Sequence, residues 1–295
     1  MFKSQKVAEL CRRWNSPRPL GALLNALNAT FPHLDSAPLP IDPYVLAKMR
    51  GIRDVIDADI ESDGYILLRK SGYIVHLNKL HTIERKRFTL AHEIGHTFFL
   101  DLSHDSSSEN EINLEKSDFI NADADTEEEQ LCNVVAAEIL MPRKQFVAMI
   151  GPLGIGAQSI IDLANAFRTS IRATARRLIA LCPYRMLVCA WKENPATGAY
   201  ETQWIERKAS LNGGAQLSVT AEQPGYQAFH STEDFRGRVW MSLGGPVDHY
   251  FIDKYQKLTD GRIITVIILE RYAEKLVERT REKLDTDLGQ QQSLF

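Results

Sequence analysis

The spacing of apolar and polar positions changes several times along this chain. Apolar residues at helical spacing, interrupted by prolines and glycines, predict helices at residues 4–29 (a pair of helices), 44–49 and 84–100. Between the last two helices, apolar and polar residues alternate instead, which predicts strands at residues 55–60, 65–69 and 73–78. Because short glycine-containing turns separate these strands, we expect them to form a small antiparallel meander.

The second half of the chain shows both patterns again. Residues 158–166 and 171–181 are predicted helices around a short turn, with Ser170 as N-cap of the second helix, so this pair has the outline of a helix-turn-helix. Further on, apolar runs predict a separate α+β unit, with strands at residues 186–191, 200–206 and 262–270 and a closing helix at 271–283.

The predicted helix at 84–100 contains His92-Glu93-Ile94-Gly95-His96, an H-E-x-x-H pentad. Residues four apart lie on one face of a helix, so His92 and His96 can hold one metal ion between them. Glu93 lies beside them, where its carboxylate can reach a water molecule on that metal. This combination is the sequence signature of a zinc metallopeptidase.

A catalytic zinc ion usually takes three protein ligands and leaves one position to water. Glu129 is the best candidate for the third ligand, because it lies in a second predicted helix that ends before Pro142. Asn133 is four residues further along and shares its face, so we expect it to hydrogen-bond one ligand histidine and orient the ring. Ala136 and Ala137 would let the two helices pack closely.

Two histidines and one glutamate around zinc would leave room for a water molecule, whose pKa the cation lowers to about 7. Glu93 would accept its proton and later pass it to the leaving amine. A peptidase also needs a donor for the tetrahedral oxyanion. His76, Tyr73 and His104 are candidates that the sequence does not separate, and the strand at 73–78 is a candidate edge for pairing with extended substrate.

Two segments resemble the motifs of a known family. Residues 87–96, Arg-Phe-Thr-Leu-Ala-His-Glu-Ile-Gly-His, are similar to the active-site helix of the ImmA/IrrE family of bacterial metallopeptidases. Residues 129–142 resemble the second motif of that family, in which the glutamate is the third ligand and a small residue and Asn or Asp follow. The resemblance covers roughly residues 40–180, and Val135 departs from it, since the family usually has Phe there.

The resemblance implies a domain plan for this α+β protein. We expect a small, mostly helical, zincin-like metallopeptidase domain with the β-meander at residues 1–150, and a helix-turn-helix-like segment at 151–183. Longer members of the family continue into a sensor-like domain, so we expect a C-terminal α+β domain, of GAF-like fold by analogy, at 184–284. Residues 285–295 would be a flexible tail.

Composition narrows the class of protein. The 295 residues are 44% hydrophobic with a net charge of −3, which is ordinary for a globular protein and favours neither a nucleic-acid coat nor a membrane surface. We expect a cytoplasmic location, because the N-terminus lacks an apolar signal core and the four cysteines show no paired spacing. Residues 103–128 are acidic and predict a mobile, solvated loop, with a lid over the cleft as the sharper alternative.

The leading hypothesis is a zinc-dependent endopeptidase of narrow specificity. The resemblance implies that it cleaves a helix-turn-helix transcriptional repressor and so derepresses a stress, mobile-element or phage-defence operon. We expect one Zn²⁺ per chain, although Mn²⁺ could occupy such a site. One alternative is an anti-repressor that binds its partner without cleaving it, and another is a DNA-binding regulator with an idle metal site.

Two further segments suggest partners. Arg172, Arg176 and Arg177 lie on or near the exposed side of the second helix of the pair and are candidates for contact with DNA or with a protein partner, although the near-neutral charge argues against DNA. The last five residues, Gln291–Phe295, resemble the motif by which bacterial replication proteins dock on the sliding clamp, and a disordered tail is the simpler interpretation.

Overall fold

The computed structural model describes residues 4–69, 72–103, 122–183, 185–207, 217–223, 225–231, 233–241, 248–255, 258 and 260–269. The chain divides into two compact units, Met1–Phe146 with Asn165–Ser170, and Val147–Ala164 with Ile171–Phe295. Helices and strands occur in both, so the predicted α+β class is confirmed. Every helix within the described ranges is too short or too polar to cross a membrane. The predicted tail at 285–295 lies outside the described residues, as does the closing helix at 271–283.

The first unit consists of helices around one small sheet. Its helices are α1 (Gln5–Arg13), α2 (Pro19–Thr30), α3 (Pro43–Met49), α4 (Ile83–Ser103), α5 (Ala122–Leu140) and the start of α6 (Arg143–Leu153). Its strands are β1 (Ile52–Ala58), β2 (Gly64–Arg69) and β3 (Gly72–Asn78). Proline at the first turn of α2 and of α3, and the Asp42 side chain that accepts a hydrogen bond from Tyr44 N–H, explain where two of these helices begin.

The sheet is not the predicted meander. Its strand order is β1-β3-β2, and β1 pairs with β3 in parallel, whereas β2 pairs with β3 antiparallel. Asn78, at the end of β3, explains the difference, because its side chain donates to the carbonyls of Ile60 (2.6 Å) and Ser62 (3.2 Å). These bonds hold the β1–β2 connection across the end of β3, so β2 pairs on its far side. The central strand β3 therefore cannot be the substrate edge, and among the described strands β1 and β2 form the edges of this sheet.

Helices α4 and α5 pack closely enough for their backbones to approach each other. Gly95 permits this approach, because a Cβ atom at its position would lie 2.9 Å from the Cα atom of Cys132. Carbon atoms pack at about 3.5–4.0 Å, so only glycine fits here. The glycine of the pentad thus has a packing role, which is to bring the second helix up to the first.

Arg87 fixes the start of α4. It is buried, and its guanidinium donates to the carbonyl oxygens of Ile41 (2.7 Å), Arg168 (3.2 Å) and Phe167 (3.5 Å). Phe167 and Arg168 end a helix, and helix ends leave carbonyls without partners, so the cation both satisfies them and complements the helix dipole. The turn at residues 165–170 is consequently part of the first unit.

The second unit is built on a larger sheet. Its helices are the rest of α6, most of α7 (Ala157–Phe167), α8 (Ile171–Leu181) and α9 (Tyr226–His230). Its strands are β4 (Met186–Glu193), β5 (Tyr200–Arg207), β6 (Ser218–Val219), β7 (Phe235–Met241), β8 (Asp248–Tyr255) and β9 (Ile263–Leu269), in the order β6-β5-β4-β9-β8-β7. The core includes Trp191 and Phe229 in edge-to-face contact, and the indole N–H of Trp191 donates to Thr265 Oγ1 at 2.7 Å.

The sequence prediction was incomplete in two places. It placed residues 122–128 in an acidic loop, whereas α5 begins at Ala122, and this change matters for the site. It also missed β6, β7 and β8. The remainder of that acidic segment, residues 104–121, lies outside the described residues. The zincin-like and GAF-like assignments and the four-part domain division stay predictions.

Candidate metal centre

His92 and His96 lie one turn apart on α4, and their rings converge. The two Nε2 atoms are 3.2 Å apart, and both side chains are mostly buried. Ile94 and Leu90 on the opposite side of the helix are fully buried, which orients the histidine face towards α5. Local helix geometry therefore suffices to bring these two nitrogens together.

Glu129 brings its carboxylate to the same point from α5. Its Oε2 lies 3.1 Å from Nε2 of His92, and its Oε1 lies 3.3 Å from Nε2 of His96. The structure thus places together the three residues that the sequence proposed as metal ligands. They come from two helices whose spacing depends on Gly95.

The Nδ1 atoms of the two rings face away from this point and have partners of their own. Nδ1 of His92 lies 3.1 Å from Oδ1 of Asn133, and Nδ1 of His96 lies 3.2 Å from Oε1 of Glu128. Amide and carboxylate oxygens only accept hydrogen bonds, so each Nδ1 carries the proton and donates it. Each Nε2 then faces the shared point, and it offers its lone pair there once no proton occupies that position, which is what metal binding requires.

The donor set fits a divalent cation. Two imidazole lone pairs and a carboxylate converge within hydrogen-bond distance, and these three acceptors repel one another unless positive charge lies among them. Nitrogen and oxygen donors in this combination suit zinc, and manganese also accepts such ligands. A cation bound there would be held by His92, His96 and Glu129.

The pKa values of the ligand groups record the same crowding. Burial favours the neutral form of Glu129, but hydrogen bonds from His92 and His96 outweigh it and lower the pKa of the carboxyl far below its usual value. Burial likewise lowers the pKa of His96, but the neighbouring Cys132, Glu128 and Glu129 outweigh it and raise that pKa well above the ordinary value. In the metal-free protein, a proton shared in this cluster partly offsets the repulsion among these groups, as a bound cation would.

Cys132 is a second candidate for contact with a metal. Its Sγ lies within 4.8 Å of the imidazole nitrogens of His92 and His96, so these three residues could also hold an ion. The thiol is completely buried at the contact with α4, and burial raises its pKa to about 11. Thiolate is the form that binds metals, so we favour Glu129, which is already ionised, as the third ligand.

Glu93 is almost fully buried on α4, between the two histidines in sequence. A buried carboxylate next to a ligand histidine in the helix is a candidate proton acceptor. Among the oxyanion candidates, Tyr73 is buried, and His76 stacks on Tyr65 at 4.9 Å between ring centroids. His76 is three residues after Tyr73 in β3, so the two side chains lie on opposite faces of the sheet. His104 lies outside the described residues.

Two of the three α8 arginines, Arg172 and Arg176, have exposed side chains, in line with the prediction. Arg177 is buried rather than exposed. Arg172 and Arg176 both bind the nearly buried carboxylate of Glu206 on β5, at 2.7 and 2.9 Å. These two guanidinium groups are thus engaged within the second unit, which leaves less of their charge for a nucleic acid.

The similarity to known proteins includes α4 and α5, the two helices that carry the site. Residues 49–179 match the family model Peptidase_M78, the IrrE N-terminal-like domain. This segment belongs to the ImmA/IrrE family. The resemblance recognised in the motifs is thereby confirmed, and the family is one of metallopeptidases. The matched segment includes β1 to α5, and hence all three proposed ligands.

Two curated relatives bear the name radiation response metalloprotease IrrE. The protein from Deinococcus deserti is 30% identical over 159 residues, which are 52% of this chain and 53% of the relative. The protein from Deinococcus radiodurans is 30% identical over 120 residues, which are 40% of this chain and 34% of the relative. The chain therefore spans about half, or less, of the length of these relatives.

One solved structure resembles nearly the whole chain. A Mycobacterium tuberculosis transcriptional regulator aligns with a TM-score of 0.53 over 95% of this chain and 85% of its own, at 16% sequence identity. An identity this low shows a shared fold and nothing further. The likeness extends beyond the ImmA/IrrE segment and includes the second unit.

Proposed function

We propose that this chain is a zinc-dependent endopeptidase of narrow specificity, with one metal ion per chain. One observation carries the proposal: the Nε2 atoms of His92 and His96 and the Glu129 carboxylate converge on one point. Glu93 directly follows His92 on α4 and is buried. The metalloprotease names of the two relatives support it.

The residues divide the chemistry among them. A bound zinc ion would supply Lewis acidity towards the scissile carbonyl and lower the pKa of its water to about 7. Asn133 and Glu128 hold the two imidazoles in the tautomer that presents Nε2. Glu93 accepts a proton from the attacking water and returns it to the leaving amine, a role that typically contributes about 10²–10⁴-fold.

We propose a helix-turn-helix transcriptional repressor as the substrate, with derepression of a stress, mobile-element or phage-defence operon as the consequence. The support is the family resemblance together with the radiation-response names of the relatives. A peptidase acting on a regulator must be selective, so recognition must come from surfaces outside the pentad.

The test is a survey of protein N-termini in the native host, before and after DNA damage. Strains would carry the wild type, Glu93→Gln, or the matched control Glu84→Gln, which makes the same change at the start of α4. We expect one or a few new termini with the wild type and with Glu84→Gln, and none with Glu93→Gln. Cleavage that persists with Glu93→Gln refutes the mechanism.

The same strains separate the rival functions. If Glu93→Gln still derepresses the operon and no shortened partner is found, the chain is a non-cleaving anti-repressor. A DNA-binding regulator would instead show salt-sensitive DNA binding by residues 140–183. The pairing of Arg172 and Arg176 with Glu206 disfavours that last alternative.

A further inference from the structure

Glu128 joins the metal site to the N-terminal helix. Its Oε1 accepts from Nδ1 of His96 at 3.2 Å, while its Oε2 lies 3.3 Å from Nζ of Lys6 on α1. The Glu128 side chain is only 12% exposed and that of Lys6 only 26% exposed. A carboxylate with one oxygen on a ligand histidine and the other on a lysine has little freedom to turn.

Glu128 and Glu129 are neighbours on α5, and they hold opposite sides of one imidazole. Glu129 approaches Nε2 of His96, and Glu128 approaches Nδ1 of the same ring. Consecutive helix positions diverge by about 100°, which lets the two carboxylates reach around the ring without competing for one nitrogen. Glu129 thus takes the ligand position, and Glu128 sets the orientation and the tautomer of the ring.

The contact between Lys6 and Glu128 is not evident from the sequence, because the two residues are 122 positions apart. Two adjacent carboxylates at one site repel each other, and the Lys6 ammonium offsets that repulsion through Oε2 of Glu128, the oxygen that is not bonded to His96. Val7 and Leu10 of α1 are buried, so the helix that carries Lys6 is anchored in the core of the first unit. The backbone that carries Lys6 is therefore held by the packing of α1.

We propose that Glu128 is a positioning residue for the ligand histidine His96 and that Lys6 holds Glu128, which makes α1 part of the metal centre. The inference rests on the metal site of the proposed function, but not on peptidase activity. It assigns a role to an N-terminal helix that lies outside the matched family segment 49–179.

The experiment measures zinc affinity by competition with a chromophoric chelator, using the full chain. Glu128→Ala should weaken zinc binding by about 10–100-fold, as loss of an outer partner of a ligand histidine typically does. Glu128→Gln keeps an oxygen acceptor for Nδ1 and should lose less. Lys6→Met should weaken binding by about two- to fivefold, the effect of a partly exposed ion pair.

Matched controls make the same changes elsewhere in the first unit. Glu138→Gln alters a glutamate ten residues further along α5, and Lys144→Met removes a lysine from an exposed ion pair with Asp35. Both should bind zinc as the wild type does. Circular dichroism of the metal-free variants tests whether they fold. If Glu128→Ala does not fold, Glu128→Gln provides the comparison.

A double-mutant cycle separates positioning from general stability. If Lys6 acts through Glu128, Lys6→Met should have no further effect in the Glu128→Ala background. Zinc affinity of Glu128→Ala within twofold of the wild type overturns the proposal, and additive losses overturn the part assigned to Lys6. If the affinities change as expected but no substrate is cleaved, this inference stands and the proposed function fails. If the substrate is cleaved normally and the zinc affinities of the variants are unchanged, the proposed function stands and this inference fails.

Discussion

Gly95→Ala tests whether the metal centre depends on the close approach of α4 and α5. A Cβ atom at this position would lie 2.9 Å from Cα, 3.0 Å from Cβ and 3.2 Å from Sγ of Cys132. The nearest of these is a backbone atom in the middle of a helix, so it cannot turn aside as a side chain could. The helices must separate, and Glu129 moves with α5 away from the two histidines.

The expected magnitude follows from two opposing effects. Comfortable carbon contacts need about 3.5–4.0 Å, so the shortfall is roughly 0.6–1.1 Å. Overpacking of this kind costs about 1–3 kcal/mol, while replacing a helical glycine with alanine contributes about 1 kcal/mol in the other direction. We therefore expect the metal-free variant to be destabilised by about 0–2 kcal/mol. Functional groups must stay within about 0.5 Å of their working positions, so zinc affinity should fall by about tenfold or more.

Urea unfolding of metal-free protein and zinc competition provide the two measurements. Gly151→Ala is the matched control, since Gly151 lies in α6 and a Cβ there would meet nothing within 4 Å. It should bind zinc normally and change stability by less than about 1 kcal/mol, because the ring of the following Pro152 opposes the gain in helix propensity. If Gly95→Ala stabilises the metal-free protein and keeps wild-type zinc affinity, the argument from close approach is wrong.

Three further predictions concern the ligands and their support. Glu129→Gln should weaken zinc binding strongly while Cys132→Ser leaves it close to wild type, and the reverse result in the chelator competition would make the thiol the third ligand. Arg87→Met should destabilise the protein by about 2–4 kcal/mol in urea unfolding, because several buried carbonyls lose their donor, whereas Arg85→Met on the exposed face should change stability by less than about 1 kcal/mol. The pKa of His96 is raised in the folded metal-free protein despite burial, so protonated His96 stabilises the fold. This contribution is complete below about pH 6.5 and is lost as the pH rises through the folded-state pKa. The melting temperature should therefore fall above about pH 6.5 in the wild type, and this fall should be absent from His96→Gln.

The ligand residues could be predicted because their geometry is local. His92 and His96 share a helix face whatever the rest of the chain does, and Glu129 and Asn133 share another. The structure brings these two faces together. Only the distance between the helices required the fold: the sequence indicated Ala136 and Ala137 as the residues of close packing, whereas the structure shows Gly95 at the closest approach.

The sheet order could not be predicted in the same way. Alternation identified three strands correctly, but neighbouring strands in sequence were assumed to be neighbours in the sheet. The decision between β1-β2-β3 and β1-β3-β2 depends on hydrogen bonds from Asn78 to a connection 16 and 18 residues earlier. A polar residue at the end of a strand has no periodicity that would reveal such a bond.

Glu128 shows a different limit. It stands in a run of acidic residues, and charge density made the segment resemble a solvated loop. In the structure the same residues form the first turns of α5, and Glu128 turns inward to His96 and Lys6. Charge patterning records how many acidic groups a segment has, but not which one is buried, because burial of a carboxylate depends on partners from other helices.

The α8 arginines make the complementary point about surfaces. Three arginines within six residues resemble a basic patch, and the pattern alone favours an external anion. The structure provides an internal one, since Glu206 on β5 binds both Arg172 and Arg176 while Arg177 is buried. The Glu206 side chain is 11% exposed, so its negative charge is stabilised mainly by the two arginines and would be unfavourable without them. A nucleic acid that drew these arginines away from Glu206 would leave that carboxylate unpaired, and this cost opposes any binding that displaces them.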